Sequence, residues 1–69
     1  MLAAELTPEL VAALDDDEPI VRENAARALG IAGVRSPEVI AALQMASADE
    51  DEIVAQVAQD AHQRLAAGG

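Results

Sequence analysis

Apolar residues along this chain fall into four blocks at steps of three and four, each announced by a proline or an acidic run. Leu10, Val11 and Leu14 follow Thr7-Pro8-Glu9, and Val21, Ala25, Ala28 and Leu29 follow Pro19. Val39, Ile40 and Leu43 follow Ser36-Pro37-Glu38, and Val54, Val57, Ala58, Ala61 and Leu65 follow Asp49-Glu50-Asp51-Glu52. Steps of three and four keep side chains on one face of a helix, so each block predicts a helix with one buried stripe. A hydroxyl residue, then proline, then a carboxylate is a helix start. The hydroxyl accepts from a free N–H, proline has no N–H to lose, and the carboxylate meets the positive helix end. On that basis Thr7 and Ser36 are N-caps, and Gly30 and Gly33 punctuate the chain after the second helix. Strict alternation is absent, and the fold class is all-α.

The four blocks are two copies of one pattern. At an offset of 29, Pro8, Glu9, Ala12, Ala13 and Leu14 return as Pro37, Glu38, Ala41, Ala42 and Leu43. At an offset of 33, Ile20, Val21, Ala25 and Ala28 return as Ile53, Val54, Ala58 and Ala61. The change of offset places four extra residues in the second copy around Met45–Ala48, where Met45 is expected to fill an irregular gap. A period near 30 built from two helices is the mark of a helical solenoid, in which each unit covers its neighbour's apolar face. The chain is read as a single domain, 1–69, with a first repeat at 7–35 and a second at 36–67. Such an architecture offers a surface in place of a catalytic cleft.

Composition sharpens this picture. There is no Phe, Trp or Tyr, and seventeen alanines take their place. Alanine lets helices approach closely and loses little side-chain entropy, but it buries little area. A chain of 69 residues with such a core is near the size at which help from self-association, a partner or a stabilising medium is expected. Leu2 and Leu6 at one end, and Leu65 with Val57 at the other, are read as apolar residues that no further repeat covers.

Thirteen acidic residues face four arginines and no lysine, a net charge of −9. No basic patch exists to displace phosphate counterions and no ring can stack on a base, which argues against nucleic acid. An anionic membrane surface is disfavoured for the same reason. A basic protein surface or a high-salt cytoplasm suits the charge. Cysteine is absent, so thiolate sites and disulfides are excluded. Glu5 and Pro8 interrupt the N-terminal apolar residues, so no signal peptide or membrane span is read and a cytoplasmic location is the expectation.

The stretch "DDDEPIVRENAARALGIAGVRSPEVIAAL" resembles a HEAT repeat of the short bacterial and archaeal type also found in phycobilisome-lyase-like proteins. An acidic turn is followed by Val21-Arg22, Ala25-Ala26 and Ala28-Leu29-Gly30, then by Pro37 opening the next unit. The resemblance implies two HEAT-like helical hairpins forming a short right-handed α-α superhelix. It also implies that Arg22 reaches a carboxylate of the turn region or of the adjoining repeat. The second copy departs from the pattern, with Ala55 in place of the arginine and His62 in place of Leu29. That departure implies that the stack ends there.

Two surfaces are candidates for binding. Asp15, Asp16, Asp17 and Glu18 in one copy, and Asp49, Glu50, Asp51 and Glu52 in the other, should lie side by side along an acidic edge. They serve either as helix caps or as a dock for a basic partner or a weak cation site. An EF-hand is excluded because Asp49-Glu50-Asp51 lacks the glycine at loop position six and the distal glutamate. The resemblance places the second helix of each repeat on the concave face. Its positions outside the apolar stripe are Glu23, Arg27, Gln56, Gln59, Asp60 and Gln63. The glutamines among them are neutral hydrogen-bonding groups on an acidic protein, suited to polypeptide without like-charge repulsion.

Catalysis finds little support. No serine, cysteine or lysine sits in a nucleophile's setting, and no Gly-rich loop follows a strand. Ser36 in "RSPE" and Ser47 in "ASAD" lack the Asp-Ser-Leu context of a pantetheine carrier. His62, without cysteine or a spaced carboxylate partner, reads as a partly buried structural residue. The chain is therefore expected to be a small non-enzymatic scaffold without cofactor or metal. Its expected partner is another protein, a basic one by charge complementarity, or a second copy. The alternative implied by the resemblance is a lyase- or chaperone-like component of a bilin-handling complex.

Overall fold

The structure is a computed structural model that describes residues 2–67, with side chains from Thr7 onward. Leu2 and Leu6 lie outside the described side chains. Four helices follow one another: α1 (Leu2–Ala13), α2 (Pro19–Ala32), α3 (Pro37–Ala46) and α4 (Glu52–Ala67). No strand occurs among the described residues.

Local chemistry explains most boundaries. Proline opens α2 and α3. Ser36 is the N-cap of α3, its Oγ accepting from the Val39 N–H at 3.3 Å. Asp51 caps α4 more fully, with one Oδ1 accepting from the N–H groups of Ile53 at 2.9 Å and Val54 at 3.1 Å. These bonds satisfy donors that have no partner inside the helix.

Three expectations are corrected. Thr7 is not an N-cap: α1 begins at Leu2, and Pro8 lies within it at the loss of one backbone bond. Gly30 does not end α2, which runs on to Ala32. The terminator is Gly33, whose φ of 73° is the left-handed conformation open to glycine, with its N–H donating to the Leu29 carbonyl at 3.2 Å. Met45 fills no gap and is 79% exposed. The four extra residues add about one turn to α3, since a turn takes about 3.6 residues. Leu43 and Ala46 therefore stay buried while Met45 points away.

The α1/α2 and α3/α4 pairs stack with α2 broadly against α4 and α1 touching α3, an all-α solenoid-like arrangement. Leu29, Val39, Leu43 and Val54 are the largest fully buried side chains. Leu65 is also buried and Val57 packs half-buried against the core, so that end of α4 is covered more than expected. Small residues set the α2–α4 distance. A Cβ built on Gly30 would stand 2.8 Å from the Ala61 Cβ, closer than real Cβ contacts.

Candidate functional site

The two acidic turns are alike in structure as well as in sequence. Asp16 Oδ1 accepts from the Glu18 N–H at 2.9 Å, and Asp49 Oδ1 accepts from the Asp51 N–H at the same distance, 33 residues on. Glu18 occupies the N-cap of α2 but makes no side-chain cap bond.

Arg22 fastens the two turns together. Its Nε donates to Asp49 Oδ2 at 2.8 Å and its Nη2 to Asp49 Oδ1 at 3.1 Å. Its Nη1 donates to the carbonyls of Asp16 at 2.7 Å and Asp17 at 3.2 Å. The pair is mostly shielded from solvent, with the side chains 13% and 12% exposed. A planar guanidinium suits this because its donors match both oxygens of a carboxylate at once. The hydrogen bond from Arg22 holds the Asp49 carboxyl below its ordinary range, helped by the Asp51 N–H. The same bond raises Arg22 further. Asp49 and Asp51 are thus occupied in holding the fold, whereas Asp15, Asp17, Glu18, Glu50 and Glu52 are exposed.

On α4, Gln56, Gln59, Asp60 and Gln63 follow at steps of three, one and three and are all exposed, so they share one face of that helix. Glu23 and Arg27 lie on α2. Arg27 pairs with Glu23 at 2.7 Å and donates to Asn24 Oδ1 at 3.3 Å. It lies across a groove from Asp60, whose Oδ1 accepts from Gln56 Nε2 at 3.3 Å. Gln59 donates to the Ser47 carbonyl at the end of α3, at 3.3 Å. Gln59 lies about 100° and Gln63 about 60° round α4 from Asp60 of the groove wall. At the offset of 33 they hold the positions of Ala26, fully buried, and Gly30, pressed on Ala61.

The groove has a volume of about 240 Å³. Gly30 and Ala61 line its close-packed centre, Ile31 and Val57 give it apolar flanks, and Arg27, Asp60 and Arg64 are its charged groups. A second hollow of about 390 Å³ shares Gly30 and Arg64 and continues past Gly33 to Arg35 and Leu65. Three large apolar side chains are exposed on α2 and α4, Ile20 at 57%, Ile31 at 69% and Ile53 at 61%, and Ile31 lines the groove. Sequence reasoning missed these isoleucines and Arg64. The available signal was spacing: Ile20 and Ile31, like Ile53 and Arg64, are eleven residues apart. Eleven residues return to within about 20° on a helix. Ile53 is also the counterpart of Ile20 at the offset of 33.

His62 is half-buried beside the core stripe, as expected. Among the described residues no three His, Asp or Glu side chains converge to hold a metal ion. No helix among them is long and apolar enough to cross a membrane.

Comparison with known proteins agrees with the geometry. No curated protein and no solved structure matches the chain. The family model for HEAT repeats matches residues 2–63, which takes in all of α1, α2 and α3 and most of α4. On that match and this arrangement of helices, the chain belongs to the HEAT repeat family.

Proposed function

We propose that this chain is a small non-enzymatic protein-interaction module, an adaptor or accessory subunit, that meets its partner on the outer face of α2 and α4. One observation carries the reading. In a chain whose core is largely alanine and leucine, three isoleucines stand more than half exposed on these two helices. Large apolar side chains grouped at one face are what a partner covers. Glu23, Arg27 and Asp60 supply charge beside them, and Gln56, Gln59 and Gln63 share the exposed face of α4 with Asp60. HEAT repeats commonly act in this way, and fold alone does not choose the partner. The bilin-handling alternative rests on the resemblance only.

The test is a photo-crosslinking amino acid placed singly at Ile31, Ile53 or Glu9, the last exposed on α1. Expressed in the native cell, the first two positions should yield one discrete adduct that Glu9 does not. Equal adducts from all three, or none from any, would overturn the reading.

A further inference from the structure

Charge is sorted along the α2 and α4 axes. Eight of the thirteen carboxylates lie on the two turns that open these helices. Three of the four arginines, Arg27, Arg35 and Arg64, line the track that runs towards their other ends. Among the described residues Asp60 is the one carboxylate lining that track. Cations near helix C-termini offset the macrodipole, and this explains why arginines are tolerated there. It does not explain the exposed Ile31 beside them. Arg64 also makes no ion pair or hydrogen bond among the described residues.

The first acidic turn has the complementary chemistry. Asp15, Asp17 and Glu18 are exposed and their carboxylates are bonded to nothing among the described residues. They are followed directly by Pro19 and the exposed Ile20. The second turn is less available, because Arg22 occupies Asp49 and helix α4 occupies Asp51.

We propose that the occupant of the Arg27–Ile31–Arg64 groove is the Asp15–Ile20 turn of a second copy of this chain. Ile20 enters beside Ile31 and Val57 over the close-packed Gly30–Ala61 contact, and the carboxylates face Arg64. The two patches are different, so the contact is head-to-tail and extends to a ring or an open row. The proposal rests on the outer face of α2 and α4 being an interaction surface.

Net charge decides where this association is seen. Each copy carries −9, so at low salt whole-molecule repulsion opposes contact. Centres of touching copies lie roughly one molecular width apart, and the molecule measures 29 × 23 × 16 Å. The Debye length near 0.15 M salt is about 8 Å. Repulsion between centres is then screened, while pairs in direct contact are not.

Sedimentation velocity across a wide concentration series tests this. Average mass should rise with concentration, reach a maximum at intermediate salt, and fall at low and high salt. Arg64→Glu and Asp17→Arg should each weaken association about tenfold. The chain carrying both changes should regain it, because Arg at 17 then meets Glu at 64 of the next copy. Circular dichroism confirms folding of each variant, which these exposed positions permit. A monomer at every concentration and salt, or association unchanged by Arg64→Glu, would overturn the proposal. Adducts between Ile31 and a different protein from a monomeric chain would overturn it too, yet leave the interaction-module reading standing.

Discussion

Arg22 on α2 and Asp49 at the mouth of α4 form a two-pronged bridge between the stacked helix pairs, at 2.8 and 3.1 Å. The remaining guanidinium nitrogen, Nη1, reaches back to the carbonyls of Asp16 and Asp17. One side chain therefore fixes the turn before α2 and the turn before α4 in a single geometry. Arg22→Ala should lower the melting temperature more than Asp49→Asn, because it also frees two carbonyls. Arg22→Lys should fall between wild type and Arg22→Ala, since one ammonium cannot serve both carboxylate oxygens and the carbonyls. A double-mutant cycle read by thermal unfolding should show non-additivity for Arg22 and Asp49. Additive losses would mean the bridge contributes nothing.

Acid should undo the same bridge. Asp49 has its folded-state pKa lowered from 3.8, first by the Arg22 hydrogen bond and then by the Asp51 N–H. A depressed carboxyl adds stability that is whole above the unfolded value and is lost as pH falls through the folded one. Wild type and Asp49→Asn should therefore differ most above about pH 4 and converge as the pH drops below that range. A constant gap down to the lowest pH at which both fold would assign the effect to something other than the charge.

Gly30 tests how α2 and α4 come together. Alanine gains about 1 kcal/mol in helix propensity over glycine. Here its Cβ would meet the Ala61 Cβ at 2.8 Å and Cα at 3.0 Å, so a helix must shift and no flexible side chain can yield. Overpacking of this kind costs about 1–3 kcal/mol, so Gly30→Ala should be neutral to destabilising. Adding Ala61→Gly should recover part of the loss. A Gly30→Ala protein more stable than wild type would mean the helices sit further apart.

Gly33 is a conformational requirement with open space around it. Nothing lies within 4 Å of an added Cβ, and φ is 73°. Gly33→Ala should cost about 1–2 kcal/mol from the left-handed backbone alone, and Gly33→Asn less, because asparagine tolerates that region. Equal losses for the two would point to a steric cause.

How much of this was legible in the chain follows from which signals are local. Ser36-Pro37 and the acidic run before Glu52 were readable because a cap needs only a few neighbouring residues. Pro8 was misread because the same Thr-Pro-Glu letters fit inside a helix that starts earlier. Gly30 and Gly33 look alike in sequence, yet one is a contact with Ala61 and the other a terminator. Telling them apart needs the α2–α4 distance, a tertiary quantity. Met45 failed for a simpler reason: four residues fit almost a whole turn, so the insertion left the helix in phase and opened no gap. The groove was hidden because the reading sought polar positions, while one of its walls is the exposed Ile31.

Leu29 and Ile31 stand two residues apart on α2 and should behave oppositely. Leu29 is 0% exposed in the core and Ile31 is 69% exposed at the groove. Leu29→Ala should cost about 2–5 kcal/mol, since it removes buried methyl groups and leaves a cavity among Val39, Leu43 and their neighbours. In a domain this small that is much of the total stability. Ile31→Ala should stay within about 0.5 kcal/mol of wild type for the isolated chain, as surface changes do. Its effect should appear instead as weaker association at high concentration, where a covered isoleucine loses its contact area. Chemical denaturation at low concentration and sedimentation at high concentration separate the two. An Ile31→Ala chain destabilised as much as Leu29→Ala when monomeric would make Ile31 part of the core and remove it from the interface.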